Sequence, residues 1–101
     1  MGKIDIDLSK AIGQAEELER ISNKLSQIAK QNMSDSISNI YRNWEGDNGA
    51  EFCRKGNVIV EDIDELATKL NSVAAKIKVV AKRTYDAEKK IQDIAMKRTY
   101  E

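Results

Sequence analysis

One stretch interrupts an otherwise helical pattern near the middle of the chain. It reads Asn43-Trp44-Glu45-Gly46-Asp47-Asn48-Gly49. Two glycines enclosing Asp and Asn are the strongest turn signal in a chain that contains no proline. Gly46 can adopt the left-handed conformation that ends a helix, and Asp47 or Asn48 can cap the next helix. The stretch therefore predicts a turn at residues 43–48 between two helices.

The residues before this turn carry apolar side chains in steps of three and four. That spacing places them on one face of a helix from about residue 8 to about residue 42. The series is Leu8, Ala11, Ile12, Ala15, Leu18, Ile21, Leu25, Ile28, Met33, Ile37, Ile40 and Tyr41.

The residues after the turn repeat every seven positions, from about residue 49 to about residue 98. Ile63, Leu70, Ile77 and Ile91 form one row, with Ala67, Ala74, Ala81 and Ala95 in a second row and Leu66, Val73, Val80, Ala87 and Ile94 beside them. A repeat close to 3.5 residues is typical of helices that pack at shallow angles. The small alanines would let a neighbouring helix approach closely.

These patterns predict an all-α single domain, an antiparallel two-helix hairpin formed by residues 1–101. Two helices provide little core, so we expect two hairpins to pair as a four-helix bundle dimer. The expected packing seam consists of Leu18, Ile21, Leu25, Ile28, Ile63, Leu70, Ile77 and Ile91.

The composition argues against several classes of function. The 101 residues contain no histidine and one cysteine, so they provide neither a Cys-His or Ser-His catalytic pair nor the usual zinc ligand sets. We therefore expect no enzyme, no catalytic residue, no metal and no cofactor. The 17 basic and 17 acidic residues cancel, which does not favour nucleic acid as a partner. No apolar run approaches the roughly 20 residues of a membrane span, and we expect no stable membrane insertion.

The basic residues of the second helix allow two interpretations. Lys76, Lys78, Lys82, Arg83, Lys89, Lys90, Lys97 and Arg98 could form a docking surface for an acidic partner or for nucleic acid. They could equally form a solvated face that suits the negative end of the helix dipole. No aromatic platform accompanies them, which disfavours single-stranded nucleic acid.

The turn carries a further pattern. Trp44 and Gly46 form a Trp-x-Gly motif, and Phe52 follows eight positions after the tryptophan. In these residues and in its layout the chain resembles the WXG family, the early-secretory-antigen-like (ESX) substrates of type VII secretion systems. The resemblance implies helical hairpins that pair as antiparallel homodimers or heterodimers. It also implies export without a cleaved signal peptide, often as dimers recognised by a membrane ATPase. Some members are effectors, and others escort a larger toxin with an LXG-type N-terminal domain.

One feature departs from that family. Many members carry a Tyr-x-x-x-Asp/Glu export signal after the second helix, whereas here Tyr85 is followed four positions later by Lys89, and Glu88 lies one residue short. Tyr85 and Glu88 are thus a degenerate export tail at best, and a dimer partner would supply the signal. The alternative hypothesis is an intracellular helical scaffold or adaptor with no role in secretion. Homodimer or heterodimer, and effector or escort, stay open at this point.

Overall fold

The computed structural model describes residues 2–100, and side chains as far as residue 98. The described residues are helical except at Gly2 and at the turn. The first arm consists of helix α1 (Lys3–Gln27), a π-helical segment (Ile28–Met33) and helix α2 (Ser34–Asn43). A single helix, α3 (Asp47–Tyr100), forms the second arm. The predicted all-α hairpin is confirmed at this level.

The two arms lie antiparallel and form a rod rather than a globule. The principal extents are 83 × 18 × 11 Å, and the radius of gyration is 23.0 Å. A compact domain of this length would have a radius of gyration of about 13 Å. The 54 residues of α3 account for the length, because a helix rises about 1.5 Å per residue.

The helix bounds differ from the expected ones by a few residues. Helix α1 begins at Lys3 rather than near residue 8, and the backbone N–H of Gly2 donates to the carboxylate of Asp5 at 3.3 Å. The turn comprises only residues 44–46, because Gly46 adopts a φ of 102° and reverses the chain at once. Asp47 is already the first residue of α3, so capping by Asp47 or Asn48 is corrected: both residues lie inside the helix.

Small side chains form the contact between the arms. Ala15, Ser22 and Ala29 are buried on the first arm at intervals of seven. Their buried counterparts on α3 are Cys53, Ala67 and Ala74. The hydroxyl of Ser22 donates to the carbonyl oxygen of Ala67 at 2.5 Å, so a side chain of one arm reaches the backbone of the other. The arms can approach closely at these positions because only small side chains lie between them there.

The π-helical segment keeps the first arm in register with α3. After Ala29 the next buried residue is Ile37, eight positions later instead of seven. A π-helical turn contains one residue more than an α-helical turn, so it absorbs the extra residue. Ile37 then packs on Gly56, where a Cβ atom would lie 2.9 Å from the Ile37 Cδ1 atom. This close approach accounts for a glycine inside α3.

Polar contacts join the arms along one side of the rod. The hydroxyl of Tyr85 donates to Asp5 at 2.9 Å, and that of Ser26 donates to Asp64 at 2.9 Å. Between them Lys78 forms an ion pair with Glu19. Partly exposed contacts of this kind add little stability individually, but together they fix which residues of the two arms lie side by side.

Helix α3 is longer than the first arm. Because Tyr85 contacts Asp5 at the start of α1, residues 89–98 continue past the end of the first arm. We call residues 89–98 the overhang. Within the described residues, no helix combines the length and the hydropathy that a membrane span requires.

Candidate functional site

The turn presents an aromatic pair at one tip of the rod. The rings of Trp44 and Phe52 have centroids 5.5 Å apart and planes inclined at 41°. The pair is only partly covered, with Trp44 45% and Phe52 47% exposed. Tilted aromatic pairs of this kind contribute about 0.5–1.5 kcal/mol beyond their area burial. The three residues on which the WXG resemblance depends are thus brought together: Gly46 bends the chain, and the two rings meet beside it.

Gly49 packs closely against Trp44 of this pair, a role that the sequence did not predict. It is buried in the first turn of α3. A Cβ atom there would clash with the carbonyl oxygen of Trp44 and lie 3.0 Å from the Trp44 Cγ atom. Its position three residues after Gly46 could have indicated this, because the start of α3 must pass directly beside the chain that enters the turn.

The two sides of the rod differ in character. One side carries the polar contacts Asp5–Tyr85, Glu19–Lys78 and Ser26–Asp64. The opposite side carries large apolar side chains from both arms. On each helix these residues neighbour the buried small residues on the side that faces away from the polar contacts. We call this second side the apolar face. Its members are Leu18, Ile21, Leu25 and Ile28 on the first arm and Ile63, Leu66, Leu70, Val73, Ile77 and Val80 on α3.

The seam residues expected from the sequence lie on this face or in line with it. Leu18, Leu25, Ile63, Leu70 and Ile77 are half-buried at its centre. Ile21 and Ile28 are exposed at the edge that the first arm forms. Ile91 lies on the overhang and is 67% exposed, beyond the reach of the first arm. None belongs to the small-residue contact between the arms.

A second row on α3 follows the whole face and was not included in the expected seam. We call it the outer row, and it consists of Phe52, Ile59, Leu66, Val73, Val80, Ala87 and Ile94. Its six large members are each between 44% and 59% exposed. An entirely apolar groove of about 400 Å³ lies along part of it, lined by Ala11, Val73, Lys76, Ile77, Val80 and Ala81. The signal was available, because the sequence analysis placed most of these residues beside the alanines.

The surface area of the chain indicates how much of it is uncovered. The hairpin exposes 7871 Å². A compact monomer of 11.4 kDa would expose about 5,800 Å². The hairpin thus exposes about 2,000 Å² more than a compact fold of the same mass, whereas each partner of a standard interface buries about 800 Å². Part of this uncovered surface is the apolar face, and contiguous exposed apolar surface is typical of an interaction site.

Tyr85 contacts the first arm of the hairpin and does not belong to a free tail. Its hydroxyl donates to Asp5, and Lys82 lies 5.2 Å from the centre of its ring. The pKa of Tyr85 is raised above its ordinary value, chiefly because the hydrogen bond to the Asp5 carboxylate favours the neutral phenol, with the negative charge of Asp5 acting in the same direction. Glu88 is exposed one turn further along.

The described residues contain no group of histidine, cysteine or carboxylate side chains that could hold a metal ion. Cys53 is buried, and its thiol donates to the carbonyl oxygen of Ile37 at 3.6 Å. Comparison with protein families, with curated proteins and with solved structures finds no match for this chain. The turn and the apolar face are the two features of the described residues that bear on function.

Proposed function

We propose that this chain is a small binding protein of the WXG type, exported by a type VII secretion system without a cleaved signal peptide. It acts by pairing its apolar face with a second helical hairpin to form a four-helix bundle. In its further role it would escort a larger toxin by binding the LXG-type N-terminal domain. The proposal involves no catalytic step and no cofactor.

The observation that carries the proposal is the partly exposed aromatic pair at the tip of the hairpin. Gly46 and Gly49 permit the sharp bend, and both rings stay accessible beside it. A tryptophan that served only the core of the hairpin would be expected to be buried, whereas Trp44 is 45% exposed although it packs on α3. A tip with two accessible rings is instead suited to recognition by another protein, because aromatic anchors contribute strongly at interfaces.

Pairing with a second hairpin is supported by the different positions of small and large side chains in this one. The arms contact each other mainly through alanine, serine and cysteine, so the large apolar side chains on the apolar face of α3 stay half-buried or exposed. Full burial of a leucine or isoleucine side chain contributes about 1.5–3 kcal/mol. A second hairpin on this face would supply that burial along the whole rod.

The test of the secretion role is the export of a Trp44→Ala variant from a strain with a working type VII system. We expect export to fall while the helical content, measured by circular dichroism, stays close to that of the wild type. Tyr41→Ala is the matched control, because Tyr41 is an exposed aromatic residue just before the turn. Retention of the wild-type chain in the cells would contradict the secretion role, and unchanged export of the Trp44→Ala variant would contradict the role of the aromatic pair in export.

One observation favours a second candidate, an intracellular helical adaptor. Tyr85, the residue nearest to an export signal, is bound to Asp5 within the hairpin rather than presented on a tail. The adaptor would use the same apolar face and would not leave the cell. The export assay separates the two candidates, since an adaptor would stay in the cells with either alanine variant.

A further inference from the structure

The outer row has a charged border on one side only. Most members of the outer row are followed three positions later by a basic residue. At this spacing the apolar and the basic side chain are neighbours on the helix surface. We call this border the basic row, and it consists of Lys55, Lys69, Lys76, Arg83, Lys90 and Lys97. Asp62 is the one acidic residue at this spacing. Lys76 itself lines the apolar groove together with Val73 and Val80.

Much of this positive charge is not balanced within the chain. Lys69 lies 3.5 Å from Glu65, and Lys55 lies 3.9 Å from Glu51. Lys76, Arg83 and Lys90 form no ion pair with any part of the chain that the structure describes. Positive charge beside an apolar groove favours a partner that brings negative charge to the rim.

The opposite border of the apolar face, formed by the first arm, is mixed in charge. Lys3, Lys10, Glu17 and Lys24 follow that edge at intervals of seven, and Asp7 lies beside Lys3 and Lys10. If two copies laid α3 against α3, two basic rows would border the same seam and repel each other. If α3 of one copy lay on the first arm of the other, the basic row would meet this mixed edge. Neither arrangement of identical copies balances the basic row well.

We propose that the occupant of the apolar face is an amphipathic helix of another protein, with carboxylates along the edge that meets the basic row. Its apolar stripe lies on the outer row, from about residue 66 to about residue 94, and its Asp or Glu side chains face Lys76, Arg83 and Lys90. This rests on the proposed function, since it names the chemistry of the second hairpin.

The test uses two synthetic helical peptides of about five heptads with identical apolar stripes. One has glutamate at the positions that flank the stripe, and the other has lysine there. We expect the glutamate peptide to bind the wild-type chain at least about tenfold more tightly than the lysine peptide. We also expect this preference to weaken when the salt concentration rises from about 0.05 M to about 0.5 M.

Charge reversal locates the effect. The double variant Lys76→Glu/Arg83→Glu should reverse the preference, so that the lysine peptide binds more tightly. The matched control is Lys82→Glu/Lys89→Glu, which makes the same charge change on the same helix but away from the outer row. The control should keep the preference of the wild type, with circular dichroism verifying that both variants are helical.

The other outcomes are decisive in different ways. Equal binding of both peptides would overturn the inference and leave the apolar face as a docking site. Stable self-pairing of the chain that excludes the glutamate peptide would show that a second copy is the occupant. Displacement of the peptide by vesicles containing phosphatidylserine would assign the face to an anionic membrane. Binding of neither peptide by a chain that stays monomeric would contradict the proposed function as well.

Discussion

At the scale of single residues, glycine decides where the rod can bend and how closely its parts approach. Gly46 is the only described residue with a positive φ, at 102°, and it lies at the bend. Gly49 and Gly56 have helical conformations, and each makes room for a neighbour, Trp44 or Ile37. Gly13 has no atom within 4 Å of the position that a Cβ would occupy. The same substitution should therefore have opposite effects at different glycines.

We expect Gly49→Ala to destabilise the hairpin by about 1–3 kcal/mol, because the added methyl group would force the backbone of the turn to move. Gly13→Ala should stabilise it by about 0.5–1 kcal/mol, since alanine is the better helix former and meets nothing there. Urea unfolding monitored by circular dichroism measures both changes. Equal effects at the two positions would contradict the close packing of Trp44 on Gly49.

Tyr85 and Asp5 make a prediction about pH. The Asp5 carboxylate raises the pKa of Tyr85, so the folded value lies above the unfolded value of about 10. The contribution of this contact to stability is therefore fully present below about pH 10 and is lost as the pH rises through the folded pKa. Asp5→Asn should lower the pKa of Tyr85, because the negative charge beside the phenol is removed.

The measurement is a titration of tyrosinate absorbance, taken as the difference between each protein and the same protein carrying Tyr85→Phe. We expect the difference curve to shift to lower pH in the Asp5→Asn background. An identical curve in both backgrounds would show that Tyr85 does not contact Asp5 in solution.

At the scale of the elements, the sequence predicted the two arms and the turn well, because the apolar periodicity is strong and the glycines interrupt it once. It did not predict which apolar row faces the other arm. The stripe of α3 is three rows wide, so periodicity alone allows several orientations. Residue size was the deciding signal: Ala67 and Ala74 are buried, while Leu66 and Val73 beside them are about half exposed. The contact between the arms uses the small residues and leaves the large residues of the expected dimer and packing seam outside it.

The π-helical segment could not be predicted for a related reason. The buried positions Ala29 and Ile37 are eight residues apart, one more than the spacing of seven that the other buried positions of the first arm follow. This extra residue becomes apparent only once the residues that face α3 are known. The residues Asn32 to Ser38 are rich in polar side chains that compete for the backbone of a helix, but they overlap the π-helical segment only at residues 32 and 33. Composition therefore did not locate the π-helical segment, which ends at Met33.

Deletion of a single residue tests the role of this segment. Removal of Gln31, which is exposed in the π-helical segment, should convert it to α-helix and keep Ile37 on Gly56. Removal of exposed Asn23 from α1 should instead rotate the preceding part of the arm by about 100° and take Ser22 and Ala15 out of the contact. We expect the first deletion to leave the thermal midpoint within a few degrees and the second to lower it strongly. Equal losses would contradict the proposed register.

At the scale of the whole molecule, the hairpin is a thin rod with two unlike sides. Polar contacts hold the register on one side, while the other side exposes apolar residues from both arms and continues onto the overhang through Ile91 and Ile94. Binding of a second helical partner is the function that this asymmetry supports. The apolar face could be recognised only from three-dimensional placement, since the sequence alone could not separate the rows that pack within the chain from those left outside.

The most direct test of this account is the native mass of the chain, alone and mixed with the two amphipathic helical peptides. We predict a complex in at least one of these samples, and its loss in the variant Leu66→Glu/Val73→Glu, which places two charges on the outer row. Glu16→Gln/Glu61→Gln is the control, since it alters exposed residues away from that row and should leave the complex intact. A chain that is monomeric in every sample, or a complex unaffected by the Leu66→Glu/Val73→Glu change, would contradict the claim that this face binds a partner.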